Sequence, residues 1–407
     1  MNLLFAWRYF KAKKSTNAIN IIAWVSLTAI TLITAAFIVL LSVFNGFEGL
    51  VKSLYSSFYT DIKISADQGK TITVSADQLQ RLRQLQNISA YSLVVEEKAL
   101  LQNGEIQSIV YLKGVDEHYP KVSGVPEKML RGHFDLGDPD EPRIVLGAGI
   151  ENALAVIADR EIFPIMAYLF KPGVNINVVD PYQAFSAEHI APSGTFLIQQ
   201  DIDNKYAITN IGFVKKMLGM GSDQYSGIEL SLKDPRKTES TKKEIQQIFA
   251  DGFIVQTKYE QNSSLYNVMA LEKWAIYGIL TLMLAVAAFT MIGSLTMLAL
   301  EKQKDIQVLK SLGADNGRVQ RIFLSEGLLL AGLGAIAGIA LGMLICWAQT
   351  AFKLIAIPGG TFLIDYYPVK LSANDFFMVI ITVMVISFLA SWFPARKAAL
   401  QPIELKS

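Results

Sequence analysis

Apolar residues gather in four windows of this 407-residue chain, Ile19–Phe44, Trp274–Leu300, Gly327–Thr350 and Phe376–Phe393, none holding Asp, Glu, Lys, Arg or His. A helix needs roughly 20 apolar residues to span a bilayer, so each window predicts one crossing. A central charge would cost about 2.5–3.5 kcal/mol on insertion. Core helices of a water-soluble protein, the alternative, are amphipathic and shorter. The first window is too long for the apolar stretch of a cleaved signal, about 7–15 residues, and reads as an uncleaved anchor. The predicted segments are an N-terminal stretch at 1–18, crossings at 19–44, 274–300, 327–350 and 376–393, a domain at 45–273, a loop at 301–326, a short loop at 351–375 and a tail at 394–407.

Between the first two crossings the pattern turns mixed. Short β-branched runs at Asp61–Ser65, Ser108–Lys113, Asn175–Val179, Thr195–Ile198, Gly227–Leu232 and Phe253–Thr257 read as strands. Ala76–Leu85, Ala148–Ala158 and Thr238–Ala250 read as helices. Gly227–Leu232, the helix after it and Phe253–Thr257 make a strand–helix–strand unit with a crossover long enough for parallel pairing. The fold class is thus a membrane protein with four transmembrane α-helices and a large α+β domain between the first and second.

Charge fixes the expected orientation. Arg8, Lys11, Lys13 and Lys14 precede the first crossing, Lys302, Lys304, Lys310, Arg318 and Arg321 lie between the second and third, and Arg396, Lys397 and Lys406 follow the fourth. The positive-inside bias places both termini and the 301–326 loop in the cytoplasm and the large domain outside. Leu3, Leu4, Trp7 and Phe10 beside the first basic cluster form either an interfacial elbow or a plain disordered tail.

Net charge of +1 argues against nucleic-acid binding. Three scattered histidines and a single cysteine, Cys346, leave no metal-ligand spacing. No P-loop, nucleophile elbow or H-E-x-x-H motif occurs, so no catalytic residue is assigned and any energy for transport comes from outside the chain. In the loop after the second crossing, Ile306, Leu309 and Leu312 make a short apolar stripe that Gly313 stops. It is either a docking element or the ordinary face of a cytoplasmic hairpin. Gly334, Gly338 and Gly342 recur every four residues in the third crossing, as a helix-packing face or as the glycine enrichment common in membrane helices. Asp180–Pro192, bounded by prolines with Phe185 inside, reads as a surface loop, ordinary or projecting for an interaction.

Glu301–Gly342 (EKQKDIQVLKSLGADNGRVQRIFLSEGLLLAGLGAIAGIALG) resembles the signature of the FtsX-like, MacB-type permeases of ABC machines. LSVFNGFE (Leu41–Glu48), MGSDQYSGIELSLKDP (Met220–Pro235), FLIDYYPVKL (Phe362–Leu371) and SWFPARKAALQPIEL (Ser391–Leu405) resemble the lipoprotein-releasing permeases within them. The resemblance implies an inner-membrane complex of two permease subunits, a second copy or a paralogue, and two ATPase subunits. It would lift lipoproteins from the outer leaflet and pass them to a periplasmic carrier. ATP and Mg would bind the ATPase, with no cofactor on this chain. By the same resemblance Asp305, Ile306, Leu309, Lys310, Leu312, Gly313 and Ala314 would meet the ATPase. Val43, Asn45, Phe47 and Glu48 would stand at the mouth of the lipid cavity, and Asp180, Pro181, Phe185 and Pro192 would lie in a carrier-binding loop. Its alternatives are an FtsX-like mechanotransmitter acting on a cell-wall hydrolase and a MacB-like exporter.

Overall fold

The computed structural model describes residues 17–159, 164–171, 185–249, 252–356 and 366–401. All four apolar windows fold as helices longer than themselves: α1 (Asn17–Phe58), α5 (Ser263–Glu301), α7 (Asn316–Phe352) and α8 (Ala373–Ala399). Each is long and apolar enough to cross a membrane. The extra length has local causes. Asp315 caps α7 by accepting the Arg318 N–H, which starts the helix well before its apolar stretch, and Lys353 ends it in the left-handed region at φ 51°. The segment with Leu3, Leu4, Trp7 and Phe10 lies outside the described residues.

By its contacts the chain divides into two units, Val51–Tyr266 and the helical segments that flank it. The helical unit packs Phe37, Ile38 and Leu41 of α1 with Leu284, Met291 and Leu295 of α5, Ala331 and Ala335 of α7, and Val379 and Val383 of α8. Small residues on α7 and large ones on α1 and α5 interlock, with the buried Thr34 of α1 seated against Gly338 of α7.

In the other unit Ile72–Thr73 and Gln224–Tyr225 pair as a short ribbon, and the strands of the main sheet are β1 (Ile62–Ala66), β2 (Ile88–Asn103), β3 (Ile106–Val115), β4 (Met129–Gly132), β5 (Arg143–Gly147), β6 (Ile165–Phe170), β7 (Phe185–Phe196), β8 (Tyr206–Asn210), β9 (Gly227–Leu232) and β10 (Phe253–Thr257). They form one sheet ordered β10-β1-β9-β2-β3-β8-β5-β7-β4, with β6 added against β2 and β7. The labelled helices here are α2 (Ala76–Gln84), held by a Ser75–Gln78 capping box, α3 (Ile211–Leu218) and α4 (Thr238–Ile248). Ile62, Ile64, Ile228, Leu230 and Val255 share one face and pack beneath Leu82 of α2 and Ile245 of α4.

Two expectations change. β9 and β10 occur where the pattern placed them but do not pair; β1 lies between them, antiparallel to both. The α4 crossover steps over one strand, and the inserted strand is the one whose isoleucines match the buried face on either side. The helix expected over Ala148–Ala158 stops at Ala153. Ala155 turns at φ 51°, and the buried Glu151 carboxylate accepts the Ala158 N–H at 3.0 Å in place of a helical partner.

The opposite face of the sheet is charged where it is also covered. Lys113 of β3 is fully buried and its ammonium lies 2.8 Å from Glu229 of β9. Lys63 reaches Glu96 at 3.6 Å and Glu229 at 3.9 Å. The Phe58 and Tyr119 rings close over the Lys113 nitrogen at 4.7 and 5.0 Å. Burial alone would pull the ammonium down, but Glu229, with Tyr119 and Glu96, holds it above the ordinary lysine value.

Asp203 sets a pH dependence. Its carboxylate accepts the Ile198 N–H at 2.9 Å, yet burial, outweighing that bond, lifts it from 3.8 to about 6. A raised acid favours the protonated fold, so stability falls as pH rises from about 4 through 6 and stays level above. The effect is on the order of 2–3 kcal/mol. Hydrogen exchange over residues 196–204 should therefore be slower at pH 5 than the intrinsic rate predicts from pH 7. An Asp203→Asn chain should lose that excess protection.

Candidate functional site

Glycine spacing positions the first part of the site. A Cβ added at Gly334 would lie 3.0 Å from Ile30, at Gly338 2.6 Å from both the Thr31 carbonyl and Thr34, and at Gly342 2.8 Å from Ile38. All three glycines therefore face α1 of the same chain. The partners rise in the same order as the glycines, so α1 and α7 run parallel. The four-residue repeat is a packing face, and its partner is internal.

One turn beyond Gly342 the next residue on that line is Cys346, whose thiol reaches Ser42 of α1, so the two helices stay in contact. Beside that contact lies an apolar pocket of about 320 Å³ lined by Val39, Leu40, Val43, Cys346, Ile355 and Tyr367, among others. Gln349 seals its loop side, donating to the carbonyls of Ile355 and Tyr367 at 3.1 and 3.2 Å and accepting the Ile355 N–H at 3.0 Å. Of the four residues expected at a lipid cavity, Val43 lines this pocket. Phe47 and Glu48 are half-buried farther along α1.

Asn45 does something else. Buried on α1 well before its end at Phe58, its amide donates to Asp375 at the start of α8, while its carbonyl oxygen accepts from Lys273 of α5 at 2.9 Å. Lys273 and Asp375 close the ring at 3.2 Å. Loop residues fix the same turn: the Lys370 N–H donates to the Ser42 carbonyl at 2.9 Å, and a Cβ on Gly46 would strike the Pro368 backbone. Beside this knot is a second cavity of about 310 Å³, lined by Leu41, Trp274, Tyr277 and Met378 together with Lys273 and Asp375. Sequence reading missed Lys273 and Asp375 because both abut apolar windows and look like window margins. Their signal was opposite charge at two margins expected on the same side of the membrane.

At the other end of the bundle, α6 (Gln303–Ser311) carries the expected stripe, with a correction. Ile306 is only 3% exposed and packs on Phe323, Ala395, Ala398 and Ala399 of its own chain. Lys310 also turns inward, donating to the carbonyls of Ala399 and Gln401 at 2.8 Å each, where it neutralises the end of α8. Asp305 pairs with Lys302 at 3.2 Å. Leu309 is half-buried. Leu312 and Val308, one turn apart, remain 80% and 59% exposed. Gly313 at φ 91° stops the helix as expected, with the Ala314 N–H bonded back to Leu309. Val308 was the residue missed; its i, i+4 spacing from Leu312 was visible.

The Asp180–Pro192 segment is also corrected. Asp180 and Pro181 lie outside the described residues. Phe185 and Pro192 belong to β7, which pairs antiparallel with β6 and parallel with β5. Pro192 is buried beside a register shift in β5, the kind of position a strand proline tolerates. Phe185 stacks edge-on against Phe170 at 5.4 Å.

The MacB-like periplasmic core domain family matches residues 23–248, and the FtsX-like permease C-terminal family matches residues 277–403. The lipoprotein-releasing system transmembrane protein LolC of Neisseria meningitidis is 29% identical, with 98% of each chain covered. The lipoprotein-releasing system transmembrane protein LolE of Haemophilus influenzae is 27% identical over 99% of this chain and 98% of its own. The pyoverdine export ATP-binding/permease protein PvdT of Pseudomonas fluorescens is 24% identical over 92% of this chain but only 56% of its own.

Proposed function

The chain belongs to the permeases that join a MacB-like periplasmic core domain to an FtsX-like C-terminal region, and from that premise we propose that it extracts lipoproteins from the outer leaflet of the inner membrane. End-to-end similarity to lipoprotein-releasing relatives supports this reading most strongly. Both termini and α6 face the cytoplasm, and the α+β domain is periplasmic. A second permease subunit and two ATPase subunits complete the machine, with ATP and Mg on the ATPases, and a periplasmic carrier takes the cargo.

Acyl chains resist spontaneous release because each buried CH₂ contributes about 0.8 kcal/mol. The pocket at Val43 offers a dry alternative to the bilayer. At about 320 Å³ it has room for roughly ten groups of water size at ~30 Å³ each, enough for part of one chain. The remaining acyl surface falls to the partner permease and surrounding lipid. Work enters through Val308 and Leu312, which the described residues leave 59% and 80% exposed.

The test is release of a triacylated lipoprotein from proteoliposomes to a soluble carrier on addition of ATP, with the whole complex reconstituted. Release is expected for the parent. Leu312→Asp should cut it at least about tenfold with the complex still folded, since an exposed side chain makes no internal contact to lose. Parent vesicles that hydrolyse ATP and retain their lipoprotein would refute the function; full release by Leu312→Asp would refute the coupling surface.

A further inference from the structure

Val43 and Asn45 stand two residues apart on α1, so at about 100° per residue they point to nearly opposite sides of the helix. Val43 faces the apolar pocket shared with α7, and Asn45 faces α5 and α8. An apolar cavity does not hold itself open, because every lining atom forgoes packing partners. The glycine contacts end at Gly342, and the next pair on that line, Ser42 with Cys346, keeps α1 against α7 beside the pocket. On the far side α1 is held at Asn45 by the Asn45–Lys273–Asp375 ring, while Lys370 and Pro368 fix the same turn from the loop.

We infer that Asn45, Lys273 and Asp375 are positioning residues, which draw the Asn45 turn of α1 toward α5 and α8 and so keep the acyl pocket open. The inference rests on the lipid-handling role proposed above. Two details fit a built device. The ring joins three helices through side chains that are buried or half-buried. The linker at its centre is a carboxamide, which accepts from a cation and donates to an anion at once, and with its amide turned over would serve the pair with the charges exchanged.

Cys346, the only cysteine of the chain, lines the pocket and reports on it. In the assembled complex in nanodiscs, alkylation of Cys346 by N-ethylmaleimide would be followed by mass spectrometry of its peptide. Lys273→Gln and Asp375→Asn should each slow alkylation about tenfold, because either leaves a buried group without its partner and frees the Asn45 turn of α1. Asn45→Ala, which removes no charge, should slow it by a smaller factor. The exchanged pair, Lys273→Asp with Asp375→Lys, should recover to within about twofold of the parent. Unchanged or faster labelling in the single variants overturns the inference, as does an exchanged pair that labels as slowly as they do. Lipoprotein release measured on the same samples keeps the two ideas apart. A parent that releases lipoprotein, with labelling insensitive to the ring, defeats the inference alone. A parent that labels as expected and releases nothing defeats the proposed function.

Discussion

Glu229→Gln should destabilise the α+β domain by about 3–5 kcal/mol, the usual cost of stranding a buried charge. Glu229 is the close partner of Lys113, whose ammonium is buried beneath the Phe58 and Tyr119 rings. Lys63 would move the wrong way to help, being itself a cation. Removing both charges is a different experiment. Lys113→Met with Glu229→Leu replaces the pair by apolar groups of similar length and should recover most of the loss. Denaturant-dependent hydrogen exchange of β3 and β9 in the full chain measures both. Losses below about 1 kcal/mol in the single variant would mean that water or another carboxylate reaches Lys113.

Gly338→Leu should be the most damaging single change in the helical unit. Even the first carbon of the new side chain would fall 2.6 Å from the Thr31 carbonyl and from Thr34, so α1 and α7 must separate along their length. Overpacking of this kind costs about 1–3 kcal/mol where neighbours can yield, and here the neighbour on one side is backbone. Gly332 in the same helix has open space around it, so Gly332→Leu is the matched control and should behave as the parent. Thermal unfolding in detergent, followed by size exclusion, reads the contrast. Equal losses in the two variants would assign the effect to helix propensity rather than to contact with α1.

The crossings were legible because insertion into hydrocarbon leaves an uninterrupted signature in a single stretch of sequence. β9 and β10 were legible for a related reason, since alternation is local. The position of β1 between them was not, because it depends on a partner far along the chain, and alternation alone does not say which strand lies next to which. Lys113 shows the same limit. At the end of a predicted strand it reads as a polar terminus, and only the approach of Glu229 and Phe58 makes it a buried cation. On α6 the stripe was read correctly as apolar but Ile306 was assigned outward, because its partners on α7 and α8 are distant in sequence. Resemblance alone placed Asn45 at a cavity mouth, and its bonds to Lys273 and Asp375 could not be read from the sequence because both partners are distant along the chain.

The glycines of α7 and their partners on α1 share one period. Ile30, Thr34 and Ile38 are spaced by four, as are Gly334, Gly338 and Gly342. A displacement of α1 along α7 by four residues, about 6 Å at 1.5 Å per residue, would therefore exchange partners and still seat two of the three. Lateral separation would lose all of them. The groove thus behaves as a notched rail, stiff across its width and nearly indifferent along its length. A protein element driven past its neighbour in whole turns needs such a surface, and the stop that sets which notch is occupied must lie elsewhere on the helix.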